Sequence, residues 1–173
     1  MLNMEKVFQL LNEMVREGEL SNYAIGGAIA AVFYIRPFAT QDVNVFVTMQ
    51  TEPTGLVTKI PGWDYLKDRG YTEIRDEGIM VEGWPVQFLP VTNPLQEEAY
   101  LNAPILDTAG EPVRVILAEH LVALMLQSGR LKDLVRVQMF LEQNAVDQEV
   151  LLDIIKRHGL EKQWANFQSR YLP

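Results

Sequence analysis

Two groups of residues in this 173-residue chain have the types and spacing that chemistry on a phosphorylated ligand uses. Gly26 and Gly27 follow a short apolar segment and precede a run of small residues, which is the pattern of a glycine turn between a strand and a helix. Asp42 is the single acidic residue between Ile25 and Val47. Backbone N–H groups at such a turn bind phosphate oxygens, and a carboxylate binds a divalent cation. The stretch therefore looks like a nucleotide site from which some groups are missing.

The second group lies far along the chain, in a segment with helical character. Arg130, Asp133 and Arg136 are three residues apart, so Asp133 can pair with both arginines on one helix face. Lys132 and Arg136 are like charges four residues apart, a mildly unfavourable arrangement that a bound anion would relieve. A surface ion network and an anion site are both open interpretations.

A predicted strand positions the acidic residue of the first group. The apolar-polar alternation of residues 43–47 predicts a strand, and its period of two places Asp42 and Asn44 on one face. The helix that follows the glycines is predicted to stop at Pro37. The glycines could also serve only to let this helix approach the sheet, and Thr40 and Asp42 also suit the start of a strand.

The rest of the chain predicts a mixed α/β fold with helices at its end. An apolar stripe from Met4 to Met14 predicts a first helix that ends near Gly18. Further along, we predict a loop from Glu52 and a short helix before Gly70, and then strands at Gly78–Gly83 and Pro85–Val91, with Gln87 in the second strand. A helix around Leu95–Asn102 and an extended segment at 113–117 follow. The remaining predicted elements are helices at Ala118–Ser128, Arg130–Gln143 and Asp147–His158, and a last turn or two beyond Leu160. We therefore expect an α/β core over residues 1–117 and a helical region over 118–173 that packs on it.

Composition excludes several function classes. There is no cysteine, and His120 and His158 are far apart without metal-type spacing, so we expect both to be ordinary helix residues rather than ligands. The net charge of −8 disfavours nucleic-acid binding over most of the surface. No apolar run approaches the roughly 20 residues of a membrane span, and no signal-peptide pattern opens the chain, so a cytoplasmic protein is expected.

Taken together, the order and spacing of these segments resemble the DNA-polymerase-β-like nucleotidyltransferase superfamily, and within it the small abortive-infection and minimal nucleotidyltransferase group. The segments that carry the resemblance are Gly26-Gly27, Thr40-Gln41-Asp42-Val43-Asn44, Val86-Gln87-Phe88-Leu89 and Arg130-Leu131-Lys132-Asp133. The resemblance implies a nucleotidyltransferase-type mixed sheet flanked by helices, with a C-terminal helical bundle. It also implies transfer of a nucleoside monophosphate from an NTP, with Mg²⁺ or Mn²⁺ held by clustered carboxylates.

The resemblance assigns roles to individual residues. Asp42 takes the first carboxylate position, as catalytic residue and metal ligand, whereas the second and third positions hold Asn44 and Gln87. Each amide keeps a neutral oxygen but removes a full negative charge from the implied metal site. The nucleotide-binding residues implied by the resemblance are Gly26, Gly27, Thr40, Arg130, Lys132 and Asp133. Two positions that are usually basic hold Phe38 and Met125, which cannot donate charge-assisted hydrogen bonds to phosphate.

Three functions remain open from the sequence. One is an active nucleotidyltransferase that uses Mg²⁺ or Mn²⁺, with Asp42 as the main ligand and Glu82 as a possible helper from an adjacent strand. Another is a protein of the same fold that binds an NTP or a related anion without turnover and needs no cofactor. The third is a protein-interaction module, which would suit a toxin–antitoxin context. Our expectation is a nucleotidyltransferase by family with impaired or lost catalysis.

Overall fold

The computed structural model of the chain describes residues 4–51, 57–59, 61–108 and 110–172. The helices are α1 (Met4–Arg16), α2 (Gly27–Ala31), α3 (Trp63–Asp68), α4 (Pro94–Leu101), α5 (Ala118–Ser128), α6 (Leu131–Glu142), α7 (Gln148–Arg157) and α8 (Glu161–Tyr171). The strands are β1 (Ala24–Gly26), β2 (Val43–Val47), β3 (Gln50–Thr51), β4 (Val57–Lys59), β5 (Ile74–Arg75), β6 (Gly78–Val81), β7 (Trp84–Pro90), β8 (Ile105–Thr108) and β9 (Glu111–Arg114).

A five-stranded mixed sheet forms the centre of the described structure, in the order β1-β2-β7-β6-β5. The β2 and β7 strands run parallel, and the other neighbouring pairs are antiparallel. Two separate hairpins, β3-β4 and β8-β9, lie outside this sheet, and a bridge from Ile25 to Val115 links β1 to the chain after β9. The predicted mixed α/β class is therefore confirmed.

Each central strand presents two different faces. Val43, Val45 and Val47 are fully buried on one face of β2, which also carries Phe88 of the adjacent β7. Alternation places Asn44 and Phe46 on the other face of β2, with Gln87 and Leu89 beside them on β7. The second face is the one that can hold a ligand, because its polar side chains are only partly buried.

The α5 helix connects the C-terminal helices to the rest of the chain. It packs against α2 and α4 and also against α6, α7 and α8. Its buried residues include Leu121, Val122 and Leu126, with exposures of 2% or less. As a result, α5 forms a wall beside the second face of the sheet.

Several predicted boundaries differ from the observed ones. The helix after the glycines ends at Ala31, before Pro37, because the chain continues in tighter turns that include bonds from Phe33 N to Ala30 O and from Tyr34 N to Ala31 O. The final helix, α8, is much longer than the predicted turn or two. Part of the loop predicted from Glu52, at residues 52–56 and 60, lies outside the described residues. Within the described residues, no helix has the length and apolar character needed to cross a membrane.

Candidate ligand-binding cleft

Three strands bring together residues that are far apart in sequence. Gly26 pairs with Asn44 in the antiparallel β1-β2 ladder, and Asn44 pairs with Gln87 in the parallel β2-β7 ladder. Residues that are paired in register on adjacent strands project from the same face of a sheet. The two amide positions are therefore direct neighbours across the strands, next to the glycine turn.

The two glycines are required for different reasons. Gly27 has a φ of +59°, and a Cβ at this position would clash with the amide nitrogen of Asn44. A Cβ at Gly26 would clash with the Phe46 ring and would also approach Ile116. Gly26 is thus a packing position inside the fold, whereas Gly27 lets the turn lie directly against the Asn44 side chain.

A cleft of about 450 Å³ opens above this part of the sheet. It is bounded by the ends of β2 and β7, by α4 and α5, and by the start of α6. The apolar lining consists of Phe46, Leu89, Pro90, Leu121, Leu124 and Met125, and the rest of the lining consists of Gly27, Asn44, Thr92, Gln96, Gln127, Ser128, Arg130 and Asp133. The cleft thus has an apolar wall with amide and hydroxyl groups around it.

The side-chain amides in the cleft differ in how many of their atoms form hydrogen bonds within the protein. In the part of the chain that the structure describes, the Asn44 side chain makes no hydrogen bond. The Gln96 carbonyl accepts from the Thr92 backbone N–H and hydroxyl, at 2.9 and 3.0 Å. The Gln127 carbonyl accepts from Asn93 Nδ2 at 3.3 Å. Asn44 therefore keeps both a donor and an acceptor for a ligand, while the two glutamines keep their N–H donors.

The charged groups at the mouth of the cleft are paired with one another. Asp133, only 3% exposed, accepts from Ser128 Oγ at 2.6 Å, from Arg130 Nε at 2.8 Å and from Arg136 Nη1 at 2.9 Å. Arg136 also lies over the Phe38 ring, 5.2 Å from its centroid. The ion network predicted from three-residue spacing is confirmed, and its two arginines and one carboxylate leave one net positive charge.

The structure brings four of the predicted site residues into the cleft lining, namely Gly27, Asn44, Arg130 and Asp133. Gly26, Thr40, Asp42, Gln87 and Lys132 are not part of that lining. The Thr40 hydroxyl contacts the carbonyl of Asp42 at 3.4 Å, and Asp42 lies one residue before β2. Sequence reasoning missed Gln96 and Gln127, since neither belongs to a recognisable motif.

Gln87 and Glu82 both make contacts outside the cleft lining. Gln87 Nε2 donates to the Asp76 carbonyl in the β5-β6 turn. Glu82 directly follows β6, in the turn of the β6-β7 hairpin, and its assistance to Asp42 stays a prediction. Its carboxylate accepts from Tyr71 Oη at 2.9 Å and pairs with Lys6 at 3.6 Å.

The residues at the implied metal positions do not fit a pair of Mg²⁺ ions. One carboxylate, Asp42, and two neutral amides, Asn44 and Gln87, stand where hard divalent cations need several anionic oxygens. Among the described residues, no three Asp, Glu, His or Cys side chains form a group that could hold a metal ion.

A second polar cluster, which the sequence did not predict, joins three helices. Glu98 of α4 accepts from His120 Nε2 at 3.0 Å, from His158 Nε2 at 2.7 Å, and from Arg157 Nη1 and Nη2 at 2.6 and 2.9 Å. These hydrogen bonds, above all those from Arg157, hold the pKa of the Glu98 carboxyl well below its usual range. The two histidines are helix-associated as predicted, but they converge on one carboxylate despite their separation in sequence.

No protein-family model matches this chain, and no curated protein matches it. An assignment of function for this chain therefore rests on its residues and their geometry alone.

Proposed function

We propose that this chain is a nucleotidyltransferase-like protein whose cleft binds a nucleotide without transferring its nucleoside monophosphate. The observation that carries the proposal is the register of three strands, in which Asn44 lies between the glycine turn and Gln87. The order of a glycine turn, a strand that directly follows Asp42 and a parallel neighbouring strand agrees with the resemblance seen in the sequence. The amides supply hydrogen bonds but lack the charge that would hold metal ions for catalysis.

Calorimetric titration of the full chain with ATP, GTP, CTP and UTP, each with and without Mg²⁺ or Mn²⁺, tests the binding part of the proposal. We expect at least one nucleotide to bind with an affinity that the metal does not change. Pyrophosphate release from the same nucleotides, measured with RNA and protein acceptors added, tests the loss of transfer. We expect no release above the protein-free rate, because no pair of metal ions is held on the reacting oxygens.

Restoring the carboxylates tests where the metal site would be. We expect the double variant Asn44→Asp, Gln87→Asp to gain Mg²⁺ binding, since it places two anionic oxygens on adjacent paired strands near Asp42. The matched control is Asn166→Asp, Gln163→Asp, which makes the same chemical changes at exposed positions of α8. If the first variant binds Mg²⁺ no better than the control, the placement of the site is wrong.

A protein-interaction module is the second candidate, and one observation favours it. Leu131 and Val135 lie four residues apart on α6 and are 69% and 46% exposed, so they form an apolar strip on the surface. Such a strip would suit the protein partner that a toxin–antitoxin context implies. Absence of binding for all four nucleotides would support this function over the first, and metal-dependent binding with pyrophosphate release would instead support an active enzyme.

A further inference from the structure

We propose that two copies of this chain associate through the outer face of α6, with their α6 helices packed antiparallel about a twofold axis. This inference goes beyond the proposed function, because it concerns a surface outside the cleft and holds whether or not a nucleotide binds. It assigns one occupant, a second copy of the chain, to the apolar strip of Leu131 and Val135.

The two sides of α6 have different surroundings. Leu131, Val135 and Met139 follow one another at four-residue intervals, so they lie along one side of the helix. Leu131 and Val135 are 69% and 46% exposed, and Met139 is partly buried. The opposite side holds Val137 and Phe140, which are both fully buried. The helix therefore packs one side into the core and leaves an apolar outer face in contact with solvent.

Exposed charges of opposite sign stand near the two ends of this face. Lys132, in the first turn, makes no hydrogen bond or ion pair among the described residues. Glu142, in the last turn, accepts one hydrogen bond, from Gln138 Nε2 at 2.8 Å.

An antiparallel pair of α6 helices uses both charges. When Lys132 lies beside Glu142 of the second copy, the twofold axis forms this ion pair twice. The same register sets Val135 opposite Met139 of the second copy, so the apolar side chains also meet. A parallel pair would instead bring like charges together. One arrangement thus satisfies the charges and covers the apolar strip.

The local charge also favours this surface for a second copy. A chain with a net charge of −8 repels another copy over most of its surface. Residues 130–142 differ, because their three cationic and two acidic side chains leave one net positive charge. On α7, Val150 and Leu152 are 46% and 48% exposed, but they are two residues apart and do not share a side of the helix. The α6 face therefore combines an apolar strip with the absence of like-charge repulsion.

Sedimentation equilibrium of the full chain without nucleotide tests the association. A 12-residue helix forms an interface smaller than that of a standard stable complex. We therefore expect a reversible dimer with a Kd of about 10–100 µM, measured at protein concentrations from about 5 to 500 µM. A monomer throughout this range, or an assembly larger than a dimer, would overturn the inference and leave the proposed nucleotide binding untouched.

A matched pair of valine variants tests the location of the interface. Val135 on α6 and Val150 on α7 are both 46% exposed, so replacement by Glu makes the same chemical change at the same exposure. We expect Val135→Glu to weaken dimerisation by about tenfold or more, because it places two carboxylates in the apolar contact. Val150→Glu should keep the wild-type Kd within about threefold. Circular dichroism confirms folding of both variants, and equal Kd values for the two would overturn the inference.

Charge reversal tests the antiparallel arrangement. Lys132→Glu and Glu142→Lys each bring like charges together at both symmetric contacts, so each alone should weaken dimerisation by about tenfold. The double variant restores opposite charges and should return the Kd to within about threefold of wild type. The control Lys156→Glu changes the net charge equally at an exposed position of α7 and should leave the Kd within the same range. Single variants that dimerise like the control, or a double variant that is not restored, would overturn the arrangement.

Discussion

Replacement of Glu98 by Gln should destabilise the protein far more than the same change at a nearby carboxylate. Glu98 is the shared acceptor for His120, His158 and Arg157, which come from α5, the end of α7 and α7 itself. Glutamine keeps one acceptor oxygen but directs an N–H₂ group towards side chains that donate. The variant therefore loses the charge and also creates a donor-donor conflict where three helices meet.

The size of this effect follows from the geometry. Four hydrogen bonds to a carboxylate that is 23% exposed are weakened together. A hydrogen bond to a charged group contributes about 1.5–3 kcal/mol. Arg157 is 46% exposed and therefore screened by solvent. We expect a total loss of about 2–3 kcal/mol in the free energy of unfolding, or about 4–12 °C in Tm for a chain of this length.

The assay is thermal unfolding of Glu98→Gln and of Asp153→Asn, followed by circular dichroism at several pH values. Asp153 also binds Arg157, at 2.6 Å, but is 62% exposed, so its change should cost about 1 kcal/mol or less. The lowered pKa of Glu98 means that its stabilisation is complete above the usual value of 4.5 and is lost as the pH falls below it. The Tm difference between wild type and Glu98→Gln should therefore shrink at acid pH. Equal Tm values for the two variants at pH 7 would refute this explanation.

Three further changes have expected outcomes. Gly27→Ala should lower the free energy of unfolding, measured by urea unfolding, by about 1–2 kcal/mol because the φ of Gly27 is positive. It should also weaken nucleotide binding, because the added Cβ clashes with Asn44. The control Gly159→Ala, with a φ of +65° and open space around it, should show only the loss of stability. Asp133→Asn should cost about 2–4 kcal/mol in the same experiment, because it leaves Arg136, whose side chain is 16% exposed, without its buried charge partner. Burial raises the pKa of Tyr23 to about 12, so the stability that its neutral hydroxyl contributes should be lost as the pH rises from 10 to 12. In Tyr23→Phe, the absorbance at alkaline pH should show one fewer tyrosine that ionises only near pH 12.

Much of the helical structure could be predicted because local sequence specifies it. The helices α5, α6 and α7 agree with the predicted ranges within a residue or so at each end. Asp147 caps α7 by accepting from the backbone N–H groups of Glu149 and Val150, as its position before the helix indicates. In contrast, α8 was underestimated because Phe167 is its single fully buried residue among those described, so its apolar pattern is weak. The aromatic rings of α8 instead stack on each other, and the distance between the ring centroids of Trp164 and Phe167 is 5.9 Å.

Short strands and the candidate site were harder to predict for a common reason. The β3, β5 and β8 strands have two to four residues, and their pairing partners rather than local alternation determine them. The Asn44–Gln87 register depends on a parallel pairing between segments far apart in sequence, so alternation could indicate each face but not their contact. Gln96 and Gln127 carry no motif, and only the packing of α4 against α5 brings them to the cleft.

Most of the cleft lining is uncharged although the chain as a whole is acidic, and Arg130 and Asp133 are the charged residues in that lining. Glu98 of α4 binds Arg157 of α7 and so links two helices, whereas Asp133 binds Arg130 and Arg136 at the start of its own helix, α6. Arg130 lines the cleft and is 62% exposed, with its Nε bound to Asp133. At the positions where the resemblance implies metal carboxylates, the paired side chains of Asn44 and Gln87 are neutral amides. Under the proposed function, the ligand is therefore held by the shape of the cleft and by hydrogen bonds to neutral groups rather than by a metal ion.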